Sequence, residues 1–193
     1  MFNSFKYWEL RYAKGRNSGK GSYGKFALYK AKIINDFIKE HNVNSVIDFG
    51  CGDGNQAFFL NCSKYVGYDI SNTALEICRK RFKGDSSKIF TDSVSMLENA
   101  DLGLSCDVIF HLVEYDRFLK YLQQLFMLSN KYVIIYSSNE ENDKYHNHIK
   151  HRKFTLAVLK YFLEWKLVKK IVNKYSEENF SDFYIYEKKI NND

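Results

Sequence analysis

Hydrophobic and polar positions along this chain follow two periods that alternate. In FALYKAKIINDFIKEH the apolar residues Phe26, Ala27, Ile33, Ile34, Phe37 and Ile38 recur at helical spacing. The period then shortens. Ser45-Val46-Ile47-Asp48-Phe49 reads as a buried strand running into Gly50-Cys51-Gly52-Asp53-Gly54, and Gln56 to Leu60 opens a further helix. The pattern next predicts a strand over 65–70, a helix over 72–82, a short strand over 88–90 and a strongly apolar strand over 106–112. A helix over 118–128 follows, with the stripe Leu119, Leu122, Leu125 and Phe126, and then a strand over 132–136. After a helix over about 152–163, segments 165–172 and 182–187 alternate as an antiparallel hairpin would, joined by the polar stretch 173–181. Strand and helix in succession predict an α/β fold: a mostly parallel seven-stranded sheet with an antiparallel C-terminal hairpin and helices on both faces.

Composition adds bounds to that picture. With 193 residues, 45% hydrophobic and 17% aromatic, the chain can bury one good core, so 1–193 is expected to be a single domain. No apolar run approaches the roughly 18 residues of a bilayer span, and the N-terminus MFNSFKYWELRYAKG is amphipathic without a signal-peptide core. A cytoplasmic protein with no membrane insertion is the expectation. Cys51, Cys62, Cys78 and Cys106 lie far apart with no C-x-x-C pair, which points to reduced thiols. The net charge of +6 suits an anionic partner. The lysines are dispersed, however, with Lys166, Lys169 and Lys170 the tightest group, and no dense basic face for nucleic acid is suggested.

Glycine is concentrated in two places. GKGSYG, residues 19–24, matches G-x-G-x-x-G, yet it follows the polar RYAKGRNS rather than a strand and fails the context a dinucleotide turn requires. VIDFGCGDG meets that context. Its strand ends in three glycines that allow a tight turn and close approach of a ligand. At the end of the next strand, in VGYDIS, Asp69 stands where a carboxylate would accept hydrogen bonds from ribose hydroxyls.

The glycines are spaced G-x-G-x-G, with Asp48 two residues before the first. On these residues the sequence resembles the class I S-adenosylmethionine-dependent methyltransferases, whose Rossmann-like fold it would share over about residues 26–188. The resemblance implies S-adenosylmethionine as cofactor and S-adenosylhomocysteine as product, with Asp69 at the ribose and the acid of Thr91-Asp92-Ser93 at the adenine. It further likens 106–112 to the fourth-motif strand. The implied cofactor-binding set is Asp48, Gly50, Cys51, Gly52, Asp53, Gly54, Gln56, Asp69, Ile70, Asp92, Ser93 and His111. A cofactor with a sulfonium cation and no pyrophosphate suits the carboxylates Asp48, Asp53, Asp69 and Asp92 near strand ends.

Methyl transfer to a hydroxyl calls for a general base. His111 in FHLVEYD, expected at the end of the fourth strand, is the first candidate, with Glu114 and Asp116 placed to orient it or to cap the next helix. The second cluster is HNHIKHRKF, with His146, His148, His151 and Arg152. No carboxylate stands at metal-ligand spacing, so an anion grip on the acceptor is preferred to a metal. The expected catalytic residues are thus His111, Glu114, His148 and His151. The expected acceptor-binding residues are Ser22, Tyr23, Asn139, His148, His151 and Arg152.

The flanks YWELRYAKGRNSGKGSYGKFALYKA, FHLVEYDRFLKYL and YSSN with HIKHRKF resemble small bacterial methyltransferases of surface-polysaccharide gene clusters. This implies a small, anionic acceptor such as a capsule or lipopolysaccharide precursor. An RNA or protein methyltransferase, or a noncatalytic cofactor-binding protein, is the alternative. The segment 15–24, rich in glycine, is expected to be a lid with Ser22 and Tyr23 on the ligand, so that 1–42 forms a lid and helices and 43–188 the core.

Overall fold

The computed structural model describes residues 2–141 and 148–189, so that His146 lies outside the described residues. Strands β1 (Ser45–Phe49), β2 (Lys64–Tyr68), β3 (Lys88–Thr91), β4 (Ala100–Cys106), β5 (Ser129–Ser137), β6 (Trp165–Ile171) and β7 (Asp182–Lys188) form one sheet in the order β3-β2-β1-β4-β5-β7-β6. The first five pair in parallel, and β7 runs antiparallel to both β5 and β6. Strand order reverses between β1 and β4, so a crevice opens above their carboxyl ends.

Successive residues of a central strand point to opposite faces, and here both faces are covered. Val46 and Ile134 face a layer in which α2 (Gly24–Glu40) and α3 (Asn72–Arg81) contribute Ile34, Phe37, Leu75 and Cys78. Ile47, Val133 and Ile135 face α4 (Tyr115–Met127) and α5 (Phe154–Tyr161), which contribute Leu122, Leu125, Phe126 and Val158. A further helix, α1 (Ser4–Ala13), precedes this framework. No helix among the described residues is long and apolar enough to cross a membrane.

Two elements differ from the sequence pattern. The fourth strand is β4 at Ala100–Cys106 rather than 106–112, and the denser apolar run beyond it forms a 3-10 turn, Ile109–His111. Its Ile109 and Phe110 are buried by packing, which a periodicity argument reads as a strand. β4 itself is disguised by Gly103. A methyl group there would fall 2.1 Å from Ser129 Oγ, which is tied to the Leu125 carbonyl at 2.6 Å, and 2.9 Å from Leu125 Cδ1. Gly103→Ala should therefore lower the unfolding free energy by about 1–3 kcal/mol in a urea titration. An unchanged midpoint would show that Ser129 yields without cost.

The second difference is the helix expected from Gln56, which is a single 3-10 turn, Ala57–Phe59. Only residues 50–63 separate β1 from β2, and the glycine turn consumes the first five of them. Helix α2 supplies the missing cover. Asn35 Nδ2 donates to the Phe59 carbonyl at 2.8 Å, and Gln56 Nε2 to the Ala27 carbonyl at 3.2 Å.

Candidate functional site

The glycine turn is held from below and from the side. The Gly50 and Cys51 amides both donate to the Tyr68 carbonyl, at 2.7 and 3.1 Å. Asp69, one residue past β2, accepts the Gly52 amide on one carboxylate oxygen at 2.8 Å and the Ser71 amide on the other at 2.9 Å. Each oxygen keeps a lone pair for an outside donor. Burial pushes the Asp69 carboxyl up to about 6. Asp48, deeper on β1, accepts the Tyr65 hydroxyl at 2.7 Å, and burial raises it to about 6 as well.

Opposite these acids, Lys30 of α2 is fully buried and pairs with Asp107 at 2.7 Å. Burial works against its charge, but Asp107, Cys106 and Asp48 together outweigh it and leave the ammonium above its ordinary value. A lysine between Ala27 and Ile34 on the buried face of an amphipathic helix was a sequence signal of a polar site beneath it.

These groups line a cleft whose empty space, counted out into the solvent at its mouth, is about 860 Å³. Its upper wall comes from α1, whose Ser4, Trp8 and Tyr12 lie four residues apart on one face, and from Ser18 and Ser22. Three carboxylates fasten this cover. Glu114 accepts the Ser4 hydroxyl at 2.5 Å; Glu9 accepts the hydroxyls of Ser71 at 2.7 Å and Thr73 at 2.5 Å. Asp53 accepts the Ser18 amide at 2.9 Å and the Tyr23 hydroxyl at 2.8 Å.

Gly52 is where the cover touches the turn. Its φ is 57°, and a methyl group would fall 2.4 Å from Ser18 Oγ and 2.8 Å from the Tyr12 hydroxyl. Gly52→Ala should add about 1–2 kcal/mol of backbone strain and lift residues 14–23 off the turn. Limited proteolysis would show faster cleavage in that segment. Wild-type cleavage rates would mean that the cover does not rest on Gly52.

His111 lines the same cavity as Asp69. Its Nδ1 lies 3.1 Å from the His148 carbonyl oxygen, which can only accept, so Nδ1 carries the proton and Nε2 presents a lone pair. Burial pushes the imidazole down to about 4, so the ring is neutral near pH 7. Its ring packs edge-on with Trp8 at 4.8 Å and parallel to His148 at 5.7 Å; Tyr7 stacks on His148 at 4.8 Å.

The cavity thus gathers Asp48, Gly50, Cys51, Gly52, Asp53, Gln56, Asp69, Ile70, His111 and Ser22 from the expected set. Gly54 sits beneath the lining, against Cys78 and Phe82. Asp92 is exposed, and Ser93 bonds Ser95; neither lines the cavity.

The expected acceptor cluster is redistributed by packing. Glu114 serves Ser4 and Arg117 instead of orienting His111. His148 acts on His111 through its backbone carbonyl, and its ring belongs to the aromatic stack. His151 is buried with Nδ1 on Ser138 Oγ at 2.5 Å. The Arg152 guanidinium donates to the Leu112 and Val113 carbonyls and covers Phe118, so it clamps the turn after β4. Asn139 pairs with Thr155 at the head of α5, and Tyr23 reaches Asp53 rather than the cavity. The common cause is that segment 148–152 runs behind the 109–113 turn, with the Lys150 amide on the Phe110 carbonyl at 2.7 Å. The residues the sequence did not single out are Ser4, Trp8, Tyr12, Ser18, Lys30, Tyr68, Asp107 and Tyr121.

Known proteins share this architecture. Residues 47–126 match a family model described as a methyltransferase domain. Among solved structures, the chain is similar to the N-methyltransferase NodS from Bradyrhizobium japonicum in complex with S-adenosylhomocysteine, at 12% identity and a TM-score of 0.75, over 97% of this chain and 99% of that one. It is similar to magnesium protoporphyrin IX methyltransferase from Synechocystis with bound S-adenosylmethionine, at 13% identity and a TM-score of 0.71, over 97% and 98% of the two chains. It is also similar to the methyltransferase domain of a bacterial Hen1, at 19% identity and a TM-score of 0.68, over 83% and 97%. At these identities the likeness is one of fold. No curated protein matches the chain.

Proposed function

We propose that this chain is a class I S-adenosylmethionine-dependent methyltransferase, a reading supported by the family match over residues 47–126 and by the shared fold, that its acceptor is a hydroxyl of a small molecule and that His111 is the general base. The observation that carries the reading is the His111 tautomer. With Nδ1 tied to the His148 carbonyl, the lone pair of Nε2 is the ring's remaining polar atom at the cavity wall.

The chemistry of the lining residues supports this cofactor. Asp69 offers two carboxylate lone pairs for ribose hydroxyls, and the turn from Gly50 to Gly54 brings backbone close without side chains in the way. Gln56 Oε1 is buried in the lining without a partner among the described residues, an acceptor that a ligand ammonium would satisfy. The cofactor supplies a methyl group made electrophilic by a positively charged sulfur. His111 would take the hydroxyl proton at Nε2 as the acceptor oxygen bonds to the methyl carbon and the carbon–sulfur bond breaks, with S-adenosylhomocysteine as the leaving group. A pKa of about 4 makes the imidazole a weak base that is unprotonated at neutral pH, suited to a proton that becomes acidic only as the bond forms. Helix α1 and residues 18–23 hold water away from the reacting oxygen and fix its approach.

A cover fastened across the mouth favours a small acceptor over a polymer. With the flanking resemblance, this points to O-methylation of a capsule or lipopolysaccharide precursor. A screen of nucleotide-activated sugars and capsule precursors for release of S-adenosylhomocysteine tests the assignment. Turnover with a glycan precursor is expected; turnover with RNA or protein alone would overturn it.

A further inference from the structure

We infer that α1 carries the acceptor-recognition site: Trp8 is the platform for a hydroxylated six-membered ring, and Arg11 grips an anionic substituent on that ring. This rests on the reading of His111 as the base at the same wall.

Trp8 lines the cavity, and its ring centroid lies 4.8 Å from that of His111. A ring laid against the indole therefore has its hydroxyls within one ring width of the imidazole. Aromatic faces suit the C–H face of a sugar and the π-face of an arene alike. Arg11 stands three residues further along α1, just outside the cavity lining, with its guanidinium carbon 5.6 Å from the Trp8 ring centroid, where it can meet a substituent that projects past the indole. Its Nε is committed to the Asn17 carbonyl at 2.8 Å, which aims the guanidinium and leaves the Nη pair as a fork. No carboxylate pairs with Arg11 among the described residues.

The other nearby cations are already committed. Lys30 is held by Asp107, and Arg152 by the Leu112 and Val113 carbonyls. The carboxylates Asp48, Asp53 and Asp69 gather at the glycine-turn end, where an anion would be repelled. An anionic acceptor is thereby directed to the α1 end, beside Trp8. The Tyr7, His148 and His111 stack closes that end with apolar surface.

The chain has two tryptophans, and Trp165 is buried in the core against α4, outside the cavity lining. In a Trp165→Phe chain saturated with S-adenosylhomocysteine, Trp8 emission reports ligands at this wall. Titration with glucose 1-phosphate, para-hydroxybenzoate and glucose should give a saturable change with at least one of the two anionic rings, about tenfold or more tighter than with glucose. Arg11→Gln should erase that preference while leaving S-adenosylhomocysteine affinity unchanged. A response to the sugar phosphate alone assigns a sugar acceptor, and to the hydroxybenzoate alone an aromatic one. Equal binding of charged and neutral rings, silence with both anions, or a preference that survives Arg11→Gln would overturn the site. If Trp165→Phe does not fold, fluorotryptophan labelling of the wild-type chain separates the two indoles and gives the same readout. Calorimetry with S-adenosylhomocysteine is run first: no binding there defeats the methyltransferase reading itself, whereas binding followed by silent anions defeats only the acceptor site.

Discussion

Asp69→Ala should weaken S-adenosylhomocysteine binding by about 30- to 1,000-fold in a calorimetric titration, the equivalent of roughly 2–4 kcal/mol of charge-assisted hydrogen bonding. The carboxylate would lose its contacts to the ribose hydroxyls, and the Gly52 and Ser71 amides would lose their acceptors. Unaltered affinity would mean that the ligand does not sit against Asp69. The same carboxylate predicts a pH dependence. Its folded pKa of about 6 lies above the roughly 3.9 of an unfolded aspartate, so the folded chain binds this proton more tightly. The stabilising contribution is complete below about pH 4 and is lost as pH rises through about 6, and Asp48 behaves alike. Cofactor binding has the opposite sign, because the ribose needs the ionised acid, so affinity should fall as pH drops below about 6. Glu9 opposes the two aspartates in stability. Held below its ordinary value by the Thr73 and Ser71 hydroxyls, it loses its contribution as pH falls, which loosens the α1 cover.

His111→Gln should reduce kcat by about a hundred- to ten-thousand-fold while leaving S-adenosylhomocysteine affinity unchanged. Glutamine approximates the imidazole in size but carries no basic nitrogen. Because the wild-type imidazole is already neutral well above pH 4, kcat should be flat through neutrality, without the break near 6.5 of an ordinary histidine. Full turnover in His111→Gln would make the ring structural, a spacer between Trp8 and His148.

The glycine-turn side of the cavity was legible in the sequence because it is local. β1, the glycine turn, β2 and Asp69 follow one another within residues 45–69, and each is written in short-range terms: a strand period, three glycines, a terminal acid. The α1 side of the cavity is assembled from distant parts. Ser4 meets Glu114 across 110 positions, and no periodicity within 4–12 reveals what that helix covers. His151 and Arg152 misled for a related reason. Histidine and arginine read as chemistry, but carbonyls, a serine and aromatic rings satisfy His151 and Arg152 instead. The stretch GKGSYG, expected as a lid, meets the glycine turn through the Tyr23 hydroxyl on Asp53, and Ser18, just before it, donates its amide to the same carboxylate.

The measurement that bears most directly on the account is a calorimetric titration of the purified chain with S-adenosylhomocysteine at neutral pH, repeated with Asp69→Ala. One saturable site per chain, well below millimolar and weakened by the substitution, is the predicted result. No heat of binding at millimolar ligand, or equal binding by the two chains, would contradict a cofactor site at the glycine turn.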